Sequence, residues 1–98
     1  METQTDKGIE IVRGLADRLM VIGNQARFRI VSYCNEPRRF TDIIQNLKLN
    51  PASFKFHLGV LTEYNLVQKV DRGIYQTTDL GKLLVKLVDI ARKISNEN

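Results

Sequence analysis

The sequence predicts a mainly α-helical fold carrying one small β-hairpin, and three observations lead there. Apolar residues recur at spacings of three and four along most of the chain, the period of helices that bury one face. Two short strand-like runs, 66–70 and 74–77, flank Asp71-Arg72-Gly73, a hairpin turn in which Gly73 is free to take positive φ. Between Phe40 and Val67, the stretch Lys48-Leu49-Asn50-Pro51 reads as one helix stopping and another starting. With 98 residues, a single domain over 1–98 is the expectation.

Each element follows from its residues. Positions 1–7 are polar and are expected to fray. From 8 to 22, Ile9, Val12, Leu15, Leu19 and Ile22 form the stripe of an amphipathic helix. Gly23-Asn24 interrupts it, and Asn24 can cap a helix over 25–35 that buries Phe28, Ile30, Val31 and Cys34. Pro37 opposes continuation. Thr41, or the residue before it, opens a short helix to Leu47, with Ile43, Ile44 and Leu47 inward. Asn50 is a good N-cap, and Pro51 suits the first helical position because its missing N–H would be unpaired there. The helix over 51–64 turns Phe54, Leu58 and Leu61 inward, and Asn65 ends it in a position that tolerates the left-handed conformation. The hairpin spans 66–77. Thr78 or Asp79 caps a last helix over 79–95, whose stripe is Leu80, Leu84, Leu87, Ala91 and Ile94, widened by Leu83, Val88 and Ile90. Helix, helix, helix-turn-helix over 40–64, hairpin, helix is the order of a winged helix-turn-helix, the hairpin being the wing.

Charge narrows the partners. The net charge is +4, and the segment from Arg27 to Arg72 holds eight basic against four acidic residues, eight minus four being the whole excess. A basic centre between balanced ends suits a polyanion, although a solvated surface has the same composition. No apolar run approaches the ~20 residues that span a bilayer, so no membrane partner is expected. The first residues lack a signal-peptide pattern, and Cys34, the single cysteine, cannot form an internal disulfide. A cytoplasmic location is the expectation, with Cys34 a small apolar core residue. One Cys and one His do not make a zinc-type ligand set, and no carboxylate pair, phosphate-binding loop or cofactor fingerprint is present. Neither a metal, a cofactor nor an enzymatic activity is expected.

The helix-turn-helix pattern ranks the residues that would meet double-stranded DNA. Ala52, Ser53 and Lys55 lie at the start of the second motif helix, the end that usually enters the major groove. Lys55 can donate to guanine, Ser53 to a base or a phosphate, and Ala52 can touch a thymine methyl. Asn50 is either a plain cap or a phosphate contact. His57 packs on the scaffold or reaches a phosphate. Phe56, offset from the Phe54-Leu58-Leu61 stripe, is either a second core face or a partly exposed apolar contact, and packing is the favoured reading. Arg38, Arg39, Thr41 and Lys48 flank the first motif helix, where phosphates are clamped. Lys69 and Arg72 belong to the wing, with Arg72 at its tip. Arg27 and Arg29 suit phosphate contact or intramolecular pairing equally.

A family resemblance joins these pieces. GNQARFRIVSYC resembles the early helix of the ArsR class of winged-helix repressors, LNPASFKFHLGVLTEYNLV resembles their recognition helix and the turn into the wing, and YQTTDLGKLL resembles their second wing strand and last helix. The match runs from about Ile22 to Leu87 and is nearest to the metal-free, archaeal-type members. It implies a homodimer built from the terminal helices, with one recognition helix in each of two successive major grooves. The apolar stripes of those helices are also wider than one small domain covers, so Val12, Leu15, Leu19, Leu80, Leu84, Leu87, Ala91 and Ile94 are expected to share core and dimer seam. One departure stands out. Asp42-Ile43-Ile44 occupies the place where metal-sensing members carry a cysteine pair, and the last helix has only Asp79 and Asp89 and no His.

Two functions of different class remain. The first is a homodimeric, sequence-specific DNA-binding transcriptional regulator. The second is a winged-helix protein-interaction module within a transcription or repair assembly. The basic face of the second motif helix favours the first, and Phe54-Lys55-Phe56 leaves room for the second.

Overall fold

Capping chemistry places the helix boundaries in the computed structural model, which describes residues 4–96. Asn24 accepts from the Arg27 backbone N–H and starts α2 (Gln25–Tyr33). Asn50 accepts from the N–H groups of Ala52 and Ser53 at 2.9 and 3.3 Å and starts α4 (Pro51–Glu63). Thr78 Oγ1 accepts from the Gly81 N–H at 3.0 Å and starts α5 (Asp79–Asn96). α3 (Phe40–Leu47) begins one residue before Thr41, with Arg39 as a cap that gives no side-chain bond. Lys48 ends it in the left-handed region at φ 54°. Asn65 does the same after α4 at φ 58°, and the Leu66 N–H then reaches back to the Leu61 carbonyl at 2.9 Å.

Two features differ most from expectation. α1 runs Gln4–Ile22, so the helix begins four residues before the expected start, and Asp6 in its first turn favours that end electrostatically. Of the segment 1–7 expected to fray, 4–7 thus belong to α1, and 1–3 lie outside the described residues. The wing also gains a strand. β2 (Val67–Asp71) and β3 (Ile74–Thr77) pair across a two-residue turn, Arg72-Gly73, with Gly73 at φ 71°. β1 (Arg38–Arg39) adds to the other side of β3, pairing Arg38 with Tyr75 and Arg39 with Ile74, in the order β1-β3-β2. Lys69 opposes Tyr75 while Asp71 opposes Ile74, so Val70 is an extra residue that bends β2.

The core lies where α2, α3, α4 and the wing base meet. Ile30, Ile43, Phe54, Leu61, Leu66 and Leu84 are fully enclosed, and Phe40 and Phe54 pack with tilted rings 4.8 Å apart. Thr77 ties the wing to α2 twice. Its Oγ1 donates to the Val31 carbonyl at 2.6 Å, and its N–H donates to the Cys34 carbonyl at 2.8 Å. Gly81 lets α5 meet that base, since a Cβ there would lie 2.5 Å from the Leu66 carbonyl oxygen. Cys34 is buried and free, and desolvation pushes its thiol up to about 11 against the opposing pull of Arg38, so the reactive thiolate is disfavoured.

The long helices contribute unequally to this core. α1 contributes Val21 and Ile22, while Val12 on the same helix is 65% exposed. Of the residues expected to share core and seam, Leu84 is 0% exposed, which corrects its assignment to the seam: it has no surface to give a second copy. Leu15 and Leu80 pack half-buried against the core, and Val12, Leu19, Leu87, Ala91 and Ile94 remain accessible.

Candidate nucleic-acid interface

The outer surface of the helix-turn-helix is set by what the core takes first. α4 spends Phe54, Leu58 and Leu61 inward, so a period of 3.6 leaves Ala52, Ser53, Lys55 and Phe56 exposed on its other faces. Phe56 is 65% exposed, so the favoured reading, packing as a second core face, gives way to the alternative of an exposed apolar contact. The core is filled by Phe54 from the inward side, and Phe56 lies two residues away, turned through about 200°. Its ring meets only the edge of His57 among the described aromatic contacts, at 5.7 Å between centroids.

Backbone pairing brings two distant segments together. The Phe40 N–H donates to the Gly73 carbonyl at 2.8 Å, locking the start of α3 onto the wing turn. Arg39, Thr41 and Arg72 consequently line one cleft of about 370 Å³ with Phe40, Gly73 and Ile74. Arg39, Thr41 and Arg72 are all exposed. Arg72 takes its place at the turn through its backbone, its N–H donating to Asp71 Oδ1 at 2.7 Å. Lys48 is exposed at the α3–α4 junction and Lys69 is exposed on β2. Five side chains of the expected set that can carry or present charge to a polyanion, Arg39, Lys48, Lys55, Lys69 and Arg72, are thus exposed.

Other cations are already committed within the chain. Arg38 donates to the Tyr33 carbonyl at 2.9 Å and to Asn35 Oδ1 at 3.4 Å, and its guanidinium lies 4.5 Å over the Tyr33 ring. The guanidinium expected to clamp phosphate thus also holds the α2–β1 turn. Arg27 donates to the Val21 carbonyl at 2.7 Å and Arg29 to the Leu47 carbonyl at 2.9 Å, so both take the intramolecular alternative. Asn50 Oδ1 is occupied in capping, as the plain-cap alternative has it.

His57 is half-buried, with Arg27 Nη1 at 3.2 Å from its Nδ1. A guanidinium can only donate, so Nδ1 is the acceptor and the ring proton sits on Nε2. Burial, and then the Arg27 charge, hold the His57 pKa below its ordinary value, so the ring is neutral near pH 7 and can donate from Nε2 but adds no charge.

Among the described residues, no group of three or more His, Cys, Asp and Glu stands together as metal ligands would. No helix of the described residues is long and apolar enough to cross a membrane.

No known family model and no curated protein matches the chain. Among solved structures, it is similar to the quinone-bound form of YodB from B. subtilis, with a TM-score of 0.74 and 16% sequence identity, covering 85% of this chain and 94% of that one. At that identity the likeness is one of fold. It agrees with the mainly helical, winged-helix architecture of the described residues, five helices and a three-stranded antiparallel sheet.

Proposed function

We propose that the chain is a homodimeric, sequence-specific binder of double-stranded DNA that regulates transcription, without catalytic activity, cofactor or metal. α4 enters the major groove, and the wing lies on backbone or minor groove. The observation that carries this reading is the exposed face made by Ala52, Ser53 and Lys55 on α4, together with the cleft that gathers Arg39, Thr41 and Arg72. Arg39, Lys48, Lys55, Lys69 and Arg72, the exposed cations of the helix-turn-helix and wing, would then meet the groove and its phosphates. The sharing of fold with YodB supports a winged helix, and the resemblance of three sequence segments to ArsR-class repressors supports the finer assignment.

Dimerisation rests on what one chain leaves uncovered. Val12, Leu19, Leu87 and Ile94 are exposed on α1 and α5. The radius of gyration is 15.0 Å, whereas a compact chain of about 100 residues has one of about 13 Å. The long helices project, and a second copy offering the same faces would cover them. Sedimentation at micromolar concentration should find a dimer, and Leu87→Lys should yield monomers; a stable wild-type monomer rejects the seam.

A titration of the full chain on random duplex DNA over a salt series tests the main reading. Affinity should fall linearly on a logarithmic salt axis as counterions are released. Absence of binding, or binding indifferent to salt, favours instead the protein-interaction module, for which the exposed Phe56 is the supporting observation.

A further inference from the structure

We propose that Phe56 reads thymine 5-methyl groups in the major groove, and that Gly59 provides the clearance that lets α4 come close enough for it to do so. The proposal rests on the DNA-binding reading above.

Ala52, Phe56 and Gly59 follow one another at spacings of four and three on α4, and all are exposed. They form one line on the face opposite Phe54, Leu58 and Leu61, the three residues that α4 buries. The centre of the outward face is therefore apolar, with a large ring between two of the smallest side chains. The phenyl group has no donor or acceptor, so it recognises only apolar surface. Among base edges in the major groove, thymine alone presents such a surface, its 5-methyl group. Lys55, next to Phe56 in sequence, is exposed, and the exposed Arg39 and Arg72 add positive charge elsewhere on the helix-turn-helix and wing, which favours a polyanion over an apolar protein partner.

Gly59 is the independent observation. Glycine is a poorer helix former than alanine. A Cβ built at Gly59 meets nothing within 4 Å, so no packing inside the chain requires the missing side chain. Gly81 is the opposite case, for there a Cβ would strike the Leu66 carbonyl oxygen. Clearance that the fold does not use, on the outer face of α4 and next to an exposed ring, is open to a partner that approaches from outside.

The test begins with duplexes selected from a random pool by the full wild-type chain. Each thymine of the selected site is then replaced in turn by deoxyuridine, which removes only the methyl group. Wild-type affinity should fall about four-fold for each contacted methyl lost, from the burial of one carbon. Phe56→Ala should bind the thymine site more weakly and show no further loss with deoxyuridine at those positions. Gly59→Ala should raise the melting temperature by about 4–8 °C yet weaken binding to the selected site, two changes of opposite sign. Equal deoxyuridine penalties in wild type and Phe56→Ala, or a Gly59→Ala chain that binds as well as wild type, would overturn this proposal and leave the DNA-binding reading standing. Failure of the wild type to retain any duplex from the pool removes both.

Discussion

The base of the wing and the outer face of α4 are built on opposite principles. At the base, almost every group has a partner inside the chain. Thr77 bonds to α2 through its hydroxyl and its N–H, the Thr78 N–H donates to the Leu66 carbonyl at 3.0 Å, and Gly81 has no space for a single added carbon. On the outer face of α4, Lys55 and Phe56 are exposed, and Gly59 opens onto empty space. Residues of the first kind stabilise the fold, so changing them should cost stability. Residues of the second kind contribute little to the fold, so changing them should cost binding. The difference separates scaffold from reading surface within a span of thirty residues, 52–81.

The two glycines give the sharpest break. Gly81→Ala places a carbon against backbone that cannot swing aside, and it should destabilise the chain by about 3 kcal/mol, at the upper end of overpacking costs. Denaturant unfolding measures it; a loss below ~0.5 kcal/mol would mean that the α5–wing junction yields, and the contrast between the regions would collapse. Next in size is Lys55→Ala. It should leave unfolding unchanged, cost roughly 1–3 kcal/mol in binding to a selected site and relax preference at one base position. Equal affinity of the variant and the wild type would move the reading surface away from α4. Arg72→Ala is expected to do less. At the wing tip the contact is with backbone, so the variant should weaken selected and random duplexes alike and flatten the salt slope by about one contact per subunit. A loss confined to the selected site would put Arg72 on a base edge instead.

The smallest effect lies where scaffold and reading surface meet. His57 has its pKa lowered in the fold by burial first and by Arg27 second, so the unfolded chain takes up its proton more readily. More protons bound in the unfolded state make stability rise with pH. The contribution of neutral His57 is therefore complete above about pH 6.5 and is lost as the pH falls through the lower folded value. Unfolding midpoints from pH 7.5 to 5 should decline for wild type more than for His57→Gln; parallel declines would assign the acid sensitivity to other groups.

Part of this division was legible in the residues. The stop–start at Lys48-Leu49-Asn50-Pro51, the cap at Asn50, the left-handed exit at Asn65 and the turn at Gly73 are local chemistry, and all are found where they were expected. Exposure of Ala52, Ser53 and Lys55 followed from the inward stripe of α4 by period alone. β1 was not legible, because two arginines after a proline carry no strand signal until β3 stands beside them. Its pairing is also what gathers Arg39, Thr41 and Arg72, which no spacing along the chain connects. Arginine positions were visible, but their commitments were not. Arg27, Arg29 and Arg38 differ from Arg39 and Arg72 only in which backbone carbonyls the fold brings within reach.

The sequence by itself determined the order of the elements, most of their ends and the inward faces of α2, α3 and α4, because caps, turns and periodicity act over a few residues at a time. Tertiary structure alone decided that Leu84 is core, that Phe56 is not, and which cations are free. Those outcomes depend on residues far apart in the chain competing for the same enclosed volume and the same carbonyl oxygens. Phe54 and Phe56 are alike in chemistry and two positions apart, and only the packing of α2, α3 and the wing base settles which of them the interior holds.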